Sequence, residues 1–309
     1  AQRHSVRVYV DRMLATIQDD GYLGIYAPDL RFPQAGENGE LWAQATAGRA
    51  LLAYIEATPD REHAAVVLTK LATAANVTMR AFREQALLPF PSGCGGGGAH
   101  GLAYTDVLDR LADLTGDPTY RHHAEWLYRA FSASVVSESD AVVGNLLDPA
   151  HPFASHGVHT YEHLRSLVVA AEASADPQLQ QALHCYLVKL STCLTPASGP
   201  IGDEWIAGKS ADAWDTGYEF CSIVELMDSI LRLMVSTQDL RRADLVESIL
   251  FNAGFGAWHP DVSAIAYLQT DNAIAMSGQR HGLPQDAVQT RYRYSPLHRQ
   301  AAVCCVPNA

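Results

Sequence analysis

The chain has 309 residues, 48% hydrophobic and 18% charged, which is enough to bury the core of one large domain or two smaller ones. Its formal net charge of −12 argues against nucleic acid or an anionic membrane as a partner. No apolar run is long enough to span a membrane. The sequence as given opens at Ala1, with no start methionine and no signal peptide, so we expect a processed, trimmed or partial chain whose compartment stays unknown, with the cytoplasm favoured. Six cysteines are too few for a disulfide scaffold in a chain of this length.

The first pattern along the chain is a repeat of an apolar helix, a small polar break, an aspartate and a second helix. Its aspartates lie about 60 residues apart, at Asp60, Asp117, Asp176 and Asp239. An aspartate in this position accepts hydrogen bonds from the free N–H groups of the helix that follows it. Pro118 and Pro177 suit the first helical position. Each following helix carries an apolar face, and the face of the fourth comprises Ala243, Val246 and Leu250.

These hairpins set the expected architecture. A period of about 60 residues is longer than that of tetratricopeptide or ankyrin repeats, and it predicts a mainly α fold whose hairpins close into an α/α toroid. A chain of 309 residues holds only about five such hairpins, so we expect an incomplete ring. The segments 264–268 and 288–292 are typical of strands. We therefore expect one domain over residues 1–309, with a β-containing insertion at residues 256–303.

Two short motifs together supply one carboxylate and three thiols: Glu219 with Cys221, and the adjacent Cys304 and Cys305. Four such ligands are what a tetrahedral Zn²⁺ requires. Residues two apart do not share a helix face, and adjacent residues of a strand face opposite sides. A shared site therefore requires an element end at the first motif and an irregular bend at the second. The alternative is buried free cysteines, which is how we interpret Cys94, Cys185 and Cys193.

Three further segments are candidates to line a site. The glycine run at residues 93–98 lacks the Gly-Lys-Ser/Thr of a phosphate loop, so we expect a flexible loop beside a site. Asp203 and Glu204 pair two carboxylates beside Trp205, for which the alternative is a solvated turn. Four crowded histidines, without the H-E-x-x-H pattern of zinc proteases, are a second candidate set of metal ligands: His151, His156, His159 and His163.

In combination, these motifs resemble those of the zinc- and cysteine-dependent β-L-arabinofuranosidases. That family carries a His-x-Val element, a glycine-containing turn with an acidic residue, a Glu-x-Cys element, a Glu-x-x-x-x-Asn element, a strand tyrosine and a Cys-Cys pair shortly before Asn. The matching positions are, in the same order, 156–158, 201–204, 219–221, 247–252, 267 and 304–308. The resemblance covers most of the chain, from residue 19 to the end.

The resemblance implies an (α/α)6 toroid followed by β-sandwich domains, and we expect the chain to hold the toroid without its first hairpin and without the sandwich. It implies retaining hydrolysis of a β-L-arabinofuranoside or a related glycoside, with a carbohydrate as partner and Zn²⁺ as cofactor. Cys304 would be the nucleophile, held by zinc with Glu219, Cys221 and Cys305. Glu204 would be the general acid/base, with Asp203 as the alternative. The sugar pocket would be lined by His100, His156 and Tyr267.

Two other functions compete with hydrolysis. The first is a non-catalytic carbohydrate-binding toroid, in which sugar binding would survive the loss of zinc and of Glu204. The second is a sugar epimerase or lyase that uses the histidines. Product analysis separates the second from a hydrolase, because only hydrolysis adds water across the glycosidic bond and releases a free reducing sugar.

Overall fold

The computed structural model describes residues 2–32, 39–84, 89–90, 96–261, 264–272, 292–295 and 304–305. Within them the chain is mainly helical, as predicted, and its strands are two residues long. None of the described helices is long and apolar enough to cross a membrane. Contacts divide the chain into two compact units: the first comprises Ala1–Ser137 and Val169–Ala175, and the second Glu138–Val168 and Asp176–Ala309. The single-domain organisation stays a prediction.

The first unit is built from helical hairpins. Its described residues form α1 (Gln2–Thr16), α2 (Glu40–Ala57), α3 (Arg61–Glu84), α4 (Gly96–His100), α5 (Tyr104–Thr115) and α6 (Thr119–Ala133), with 3₁₀ turns at Pro28–Leu30 and Gly101–Ala103. α2 packs against α3 and α5, and α5 packs against α6. Leu51, Val67, Leu108 and Leu127 are fully buried between them. Burial of each such side chain stabilises the fold by roughly 1.5–3 kcal/mol.

The second unit combines helices with loops. Its described elements are α7 (Val143–Leu147), α8 (Gly157–Ala173), α9 (Pro177–Leu190), α10 (Phe220–Thr237), a 3₁₀ turn (Leu240–Arg242), α11 (Ala243–Ser248) and a π-helical segment (Ile249–Gly254). The last residues of α8, from Val169, group with the first unit. α7 packs against α9, and α10 contacts both α11 and the π-helical segment.

The four aspartates of the repeat each accept a hydrogen bond from a backbone N–H two or three residues later, as predicted. The pairs are Asp60 with His63 (3.0 Å), Asp117 with Thr119 (2.9 Å), Asp176 with Gln178 (2.8 Å) and Asp239 with Arg241 (3.3 Å). Pro177 occupies the first position of α9, whereas Pro118 lies one residue before α6 begins. The capped breaks therefore divide the chain into hairpins, because each aspartate satisfies N–H groups that the helix itself cannot.

The predicted apolar face of the fourth repeat is wrong. Ala243 and Leu250 are exposed and Val246 is only half-buried, while Ile249 and Ala253 are buried. The physical reason is that α11 lasts six residues and continues as a π-helical segment. A π-helix bonds residue i to i+5, so an extrapolated period of 3.6 points to the wrong side chains.

Four short strands support the loops of the second unit. β1 (Tyr218–Glu219) pairs antiparallel with β3 (Leu268–Gln269), and β2 (Ile265–Ala266) pairs antiparallel with β4 (Tyr294–Ser295). The predicted strand at residues 264–268 is confirmed as two strands that break at Tyr267. The predicted strand at residues 288–292 lies outside the described residues except for Tyr292, and the insertion as a whole stays a prediction.

A buried ion pair joins α8 to α10. Nη1 of Arg165 lies 2.7 Å from Oε2 of Glu225 and donates to the Glu225 carbonyl at 3.1 Å. The hydroxyl of Ser229 donates to the carbonyl of Tyr161 at 2.7 Å. Because charges that are buried without a partner are costly, this pairing fixes the two helices against each other. The start of α8 and the start of α10 are the two places that carry the candidate site.

Candidate active site

Four side chains of the second unit converge on one point, as the sequence predicts. Sγ of Cys221 lies 3.1 Å from Sγ of Cys305, and Sγ of Cys304 lies 3.9 Å from Sγ of Cys305. Oε1 of Glu219 lies 3.7 Å from each of the sulfurs of Cys304 and Cys305. One ligand atom from each residue lies within 4.8 Å of all the others. Cys304 alone of the four is exposed.

The local backbone explains how two closely spaced pairs can share one point. Glu219 ends β1 and immediately precedes α10, whose second residue is Cys221. The N–H of Phe220 donates to the carbonyl of Tyr267 at 3.0 Å, which ties the start of α10 to the break between β2 and β3. Cys304 lies in a turn and not in a strand. Both expectations about the backbone, an element end and an irregular bend, are therefore confirmed.

Negative charge in this group concentrates on Cys304. Hydrogen bonds from Cys221 and Cys305 lower the pKa of Cys304 to about 2, and hydrogen bonding within the group raises the pKa of the other two thiols above its ordinary value. Burial, followed by the charge of Cys304, raises the pKa of Glu219 to about 8. The four groups compete for protons because several acids share a buried space, and a bound cation would relieve that competition.

The side chains of the Glu/Cys group are suitable ligands for a metal ion. Oε2 of Glu219 is buried and has no hydrogen-bond partner within the described part of the chain. A buried carboxylate oxygen without a donor is rare in proteins and requires an explanation. Three sulfurs and one carboxylate at contact distances are the ligands that tetrahedral metal sites use. The four side chains therefore form a group that can hold a metal.

The loop from Gly202 to Trp205 places a second carboxylate beside this group. Gly202 has φ of +127°, and Glu204 has φ of +85°, a left-handed conformation that is strained for a residue with a side chain. The N–H of Gly157 donates to the Glu204 carbonyl at 2.6 Å and holds the loop against α8. The half-buried Glu204 is close enough for its charge to raise the pKa of both Glu219 and Tyr267. Backbone strain at a polar residue that faces such a group is typical of functional sites.

Asp203, the alternative acid, points its carboxylate at other partners. It forms an ion pair with Lys209 and accepts a hydrogen bond from the hydroxyl of Tyr292 at 3.2 Å. Gly217 permits this approach, since a Cβ there would lie 2.2 Å from the Tyr292 hydroxyl and 2.8 Å from Cβ of Asp203. The two carboxylates of the motif therefore have different surroundings.

Histidines border the Glu/Cys group on the α8 side. Nε2 of His156 lies 3.8 Å from Oε2 of Glu219, and its ring lies 5.0 Å from the ring of His159. Nδ1 of His159 is hydrogen-bonded to Oε2 of Glu138, and both residues are buried. Glu138, His156 and His159 are thus a second set whose ligand atoms lie within 4.8 Å of one another. The sequence indicated the two histidines, three residues apart, but gave no signal for Glu138.

The remaining predicted site residues have varied surroundings. Tyr267 is half-buried, and burial together with the charge of Glu219 raises its pKa, so its hydroxyl stays protonated. His100 lies in the first unit, where its ring stacks on Trp42 with centroids 4.3 Å apart. Its role in sugar binding stays a prediction. Two other histidines belong to the crowded segment. The ring of His163 is stacked on that of His159, with centroids 6.1 Å apart. Nε2 of His151 lies 4.0 Å from Oδ1 of Asp140.

The other cysteines and the glycine run gave mixed outcomes. Cys193 is buried as predicted, whereas Cys185 is half-exposed, so the expectation of burial was wrong there. Cys94 lies outside the described residues, as do residues 93–95 of the glycine run. The remaining glycines begin α4, so the predicted loop is wrong for that part of the run.

Capped helical hairpins are typical of α/α-toroid proteins, and solved structures share this fold. A GH127 β-L-arabinofuranosidase from Geobacillus stearothermophilus T6 aligns with a TM-score of 0.67 and 18% identity over 85% of this chain and 44% of its own. A glycoside hydrolase aligns with a TM-score of 0.62 and 16% identity over 85% of this chain and 45% of its own. An unsaturated glucuronyl hydrolase specific for heparin gives 0.52 and 15%, over 83% and 67%. These likenesses confirm the fold class.

The family comparison gives the particular assignment. The family model described as β-L-arabinofuranosidase, GH127 catalytic domain, matches residues 2–309, so the chain belongs to this family. The resemblance that the sequence motifs indicated is confirmed. No curated protein matches the sequence. The chain spans less than half the length of the first two solved structures to which it is similar.

Proposed function

We propose that the chain acts as a retaining glycoside hydrolase on β-L-arabinofuranosides or related glycosides. The observation that carries the proposal is the convergence of Glu219, Cys221, Cys304 and Cys305, with only Cys304 exposed, in a member of this family. Cys304 is proposed as the nucleophile and Glu204 as the general acid/base. The partner is a carbohydrate substrate.

We propose Zn²⁺ as the ion of this site, because zinc accepts thiolate and carboxylate ligands together in tetrahedral geometry. When bound, it would keep the sulfurs deprotonated and so provide a nucleophilic thiolate at neutral pH. Glu219, Cys221 and Cys305 are buried and would hold the ion, with Cys304 as the fourth ligand at the accessible side.

The reaction proceeds in two displacements. In the first, Sγ of Cys304 bonds to the anomeric carbon while the glycosidic C–O bond breaks, and Glu204 gives a proton to the leaving oxygen. In the second, Glu204 takes a proton from water, whose oxygen bonds to the anomeric carbon as the C–S bond breaks. The products are the free sugar and the thiolate of Cys304, and the anomeric configuration is retained.

Glu204 is preferred to Asp203 as the acid/base. The carboxylate of Asp203 is already paired with Lys209 and accepts a hydrogen bond from the hydroxyl of Tyr292, so it is engaged away from the Glu/Cys group. Glu204 lies close enough to Glu219 and Tyr267 for its charge to act on both, so its carboxylate is beside the Glu/Cys group. His156 and Tyr267 stand at the edge of the Glu/Cys group, and we propose that they hydrogen-bond the hydroxyl groups of the bound sugar.

The test combines hydrolysis of an aryl β-L-arabinofuranoside with metal analysis. We expect about one zinc per chain, and we expect Cys304→Ser to lower the rate by at least about 1000-fold. Cys185→Ser, a half-exposed cysteine outside the Glu/Cys group, is the matched control and should keep the wild-type rate. Full activity in Cys304→Ser would contradict the mechanism.

Glu204→Gln provides an independent test of the acid/base. With a highly activated aryl leaving group, the first displacement needs no proton, so the variant should accumulate a glycosyl-enzyme. We expect intact-protein mass spectrometry to show one anhydropentose unit, and peptide mapping to place it on Cys304. Azide should release it as a glycosyl azide, because an anion attacks without a base. An Asp203→Asn variant with this behaviour, and a normal Glu204→Gln variant, would reverse the assignment.

A further inference from the structure

An exposed tryptophan directly follows the proposed acid/base. Trp205 is 48% exposed, although indole rings in folded proteins are usually mostly covered. Its backbone is nevertheless fixed, through antiparallel bridges to His156 and Asp203. The N–H of the next residue, Ile206, donates to the carbonyl of Ser155 at 3.0 Å. A large apolar ring is therefore presented to solvent from a backbone that is held on both sides.

The position of this ring relative to the reacting groups follows from the chemistry. The sugar that is attacked must lie over Cys304, and a general acid must reach the oxygen that leaves. The leaving group is therefore on the side of Glu204. The indole of Trp205 meets the ring of His156 edge-on, with centroids 6.0 Å apart, and His156 in turn faces Glu219. The indole thus lies beside His156 at the border of the Glu/Cys group, and its residue directly follows Glu204 in the chain.

We infer that Trp205 is an aromatic platform for the leaving-group sugar, which stacks the C–H face of its ring on the indole. This inference rests on the proposed function and adds a specificity that the function alone does not require. Sugar rings have one face rich in C–H bonds, and an indole face is apolar and electron-rich, so the two surfaces match. Because the loop backbone is already fixed, stacking orders little besides the indole itself.

The experiment compares two substrates with the same reacting sugar. One is a β-L-arabinofuranosyl disaccharide, whose leaving group is a sugar ring, and the other is the methyl glycoside, whose leaving group has no ring. We expect Trp205→Ala to lower kcat/KM for the disaccharide about tenfold more than for the methyl glycoside. Trp205→Phe should keep most of the preference, and Trp205→Leu, which is apolar but lacks a ring face, should lose it.

Trp214 is the matched control. It is 58% exposed and lines a separate cavity of the second unit with Thr195, Pro196 and Asp271, so Trp214→Ala should keep the substrate preference. An equal fall on both substrates in Trp205→Ala and Trp205→Leu would overturn the inference, since it would indicate that the indole only supports His156 and Glu204. Unchanged rates on both substrates in these two variants would also overturn it. A wild-type protein that cleaves neither substrate would instead contradict the proposed function.

Discussion

Two buried glutamates, one in each unit, have different surroundings. Glu40 of the first unit accepts hydrogen bonds from the hydroxyl of Tyr22 and from Nε2 of Gln44, both at 2.7 Å, and from the N–H of Phe32 at 3.2 Å. Glu219 of the second unit has two sulfurs at 3.7 Å from one oxygen and Nε2 of His156 at 3.8 Å from the other, and its carboxylate is also hydrogen-bonded by Tyr267. Both side chains are almost fully buried.

The difference shows how the same residue type has many hydrogen-bond donors in one place and thiol neighbours in the other. A carboxylate surrounded by donors is stable as it stands, because hydrogen bonds replace the water that burial removed. A carboxylate with thiols on one side and few donors on the other gains less from hydrogen bonds, and a protonated form or a nearby cation is favoured there. The hairpins of the first unit supply donors from neighbouring turns, whereas the strands and loops of the second unit bring together groups that are distant in sequence.

The largest expected effect comes from Glu219→Gln, which preserves shape and removes the charge. We expect kcat/KM for an aryl arabinofuranoside to fall on the order of 100- to 1000-fold. We also expect the bound metal, measured by elemental mass spectrometry, to fall well below one ion per chain, because an amide is a poor ligand for zinc. Wild-type metal content with wild-type activity would show that Glu219 is a structural residue like Glu40.

Glu40→Gln should act on stability and leave the metal in place. An amide would present an N–H₂ group where donors already point, so we expect the free energy of unfolding in urea to fall by about 2 kcal/mol. Glu56→Gln is the control on the same helix, since Glu56 is exposed and pairs with Arg110 at the surface. Such a pair contributes about 0–1 kcal/mol. Equal losses of unfolding free energy from both variants would show that the hydrogen bonds to the buried Glu40 stabilise the fold no more than an exposed ion pair does.

A buried histidine sharpens the comparison through pH. His123 of the first unit is buried, and burial followed by the charge of Arg83 lowers its pKa to about 3, whereas the unfolded chain binds the proton near pH 6.5. The stability that comes from keeping His123 neutral is therefore fully present above pH 6.5. It is lost as the pH falls towards 3, because in that range only the unfolded state binds the proton. At pH 5 the loss is about 2 kcal/mol.

The variant that tests this titration is His123→Gln, which cannot gain a proton. Its free energy of unfolding should change less between pH 7 and pH 5 than that of the wild type. His184→Gln, at an exposed position of α9, should keep the wild-type slope. If His123→Gln loses stability with acid as steeply as the wild type, the acid sensitivity has another origin.

The sequence predicts those parts of the molecule that depend on near neighbours. An aspartate caps the next helix through residues two or three positions later, so the four breaks could be located from spacing alone. The requirement that Glu219 end an element follows from its distance of two residues from Cys221. The convergence of these residues with Cys304 could be predicted as one hypothesis, because thiol and carboxylate side chains are the ligands of one kind of metal site.

Other features depend on contacts that spacing does not reveal. Glu138 bonds His159 across a stretch with no shared motif, and nothing about an isolated glutamate distinguishes it from a solvated one. The ion pair of Asp203 with Lys209 separates the two carboxylates of the motif only once the loop is folded. The π-helical turn after α11 changes which side chains are buried, and the residues of that turn carry no sequence signal for it.

The smallest expected effect tests whether the helical parts of both units follow the same rule. Asp117 precedes α6 in the first unit and Asp176 caps α9 in the second, and each accepts a hydrogen bond from the backbone N–H two residues later. Changing either to Ala should lower the free energy of unfolding by about 1 kcal/mol, because the N–H loses its acceptor, while serine at the same position should keep most of the stability. Equal losses in urea unfolding, with the metal content unchanged, would show that the two capped turns contribute alike to stability. A much larger loss at Asp176, or loss of metal there, would indicate that the capped turn of α9 also supports the Glu/Cys group.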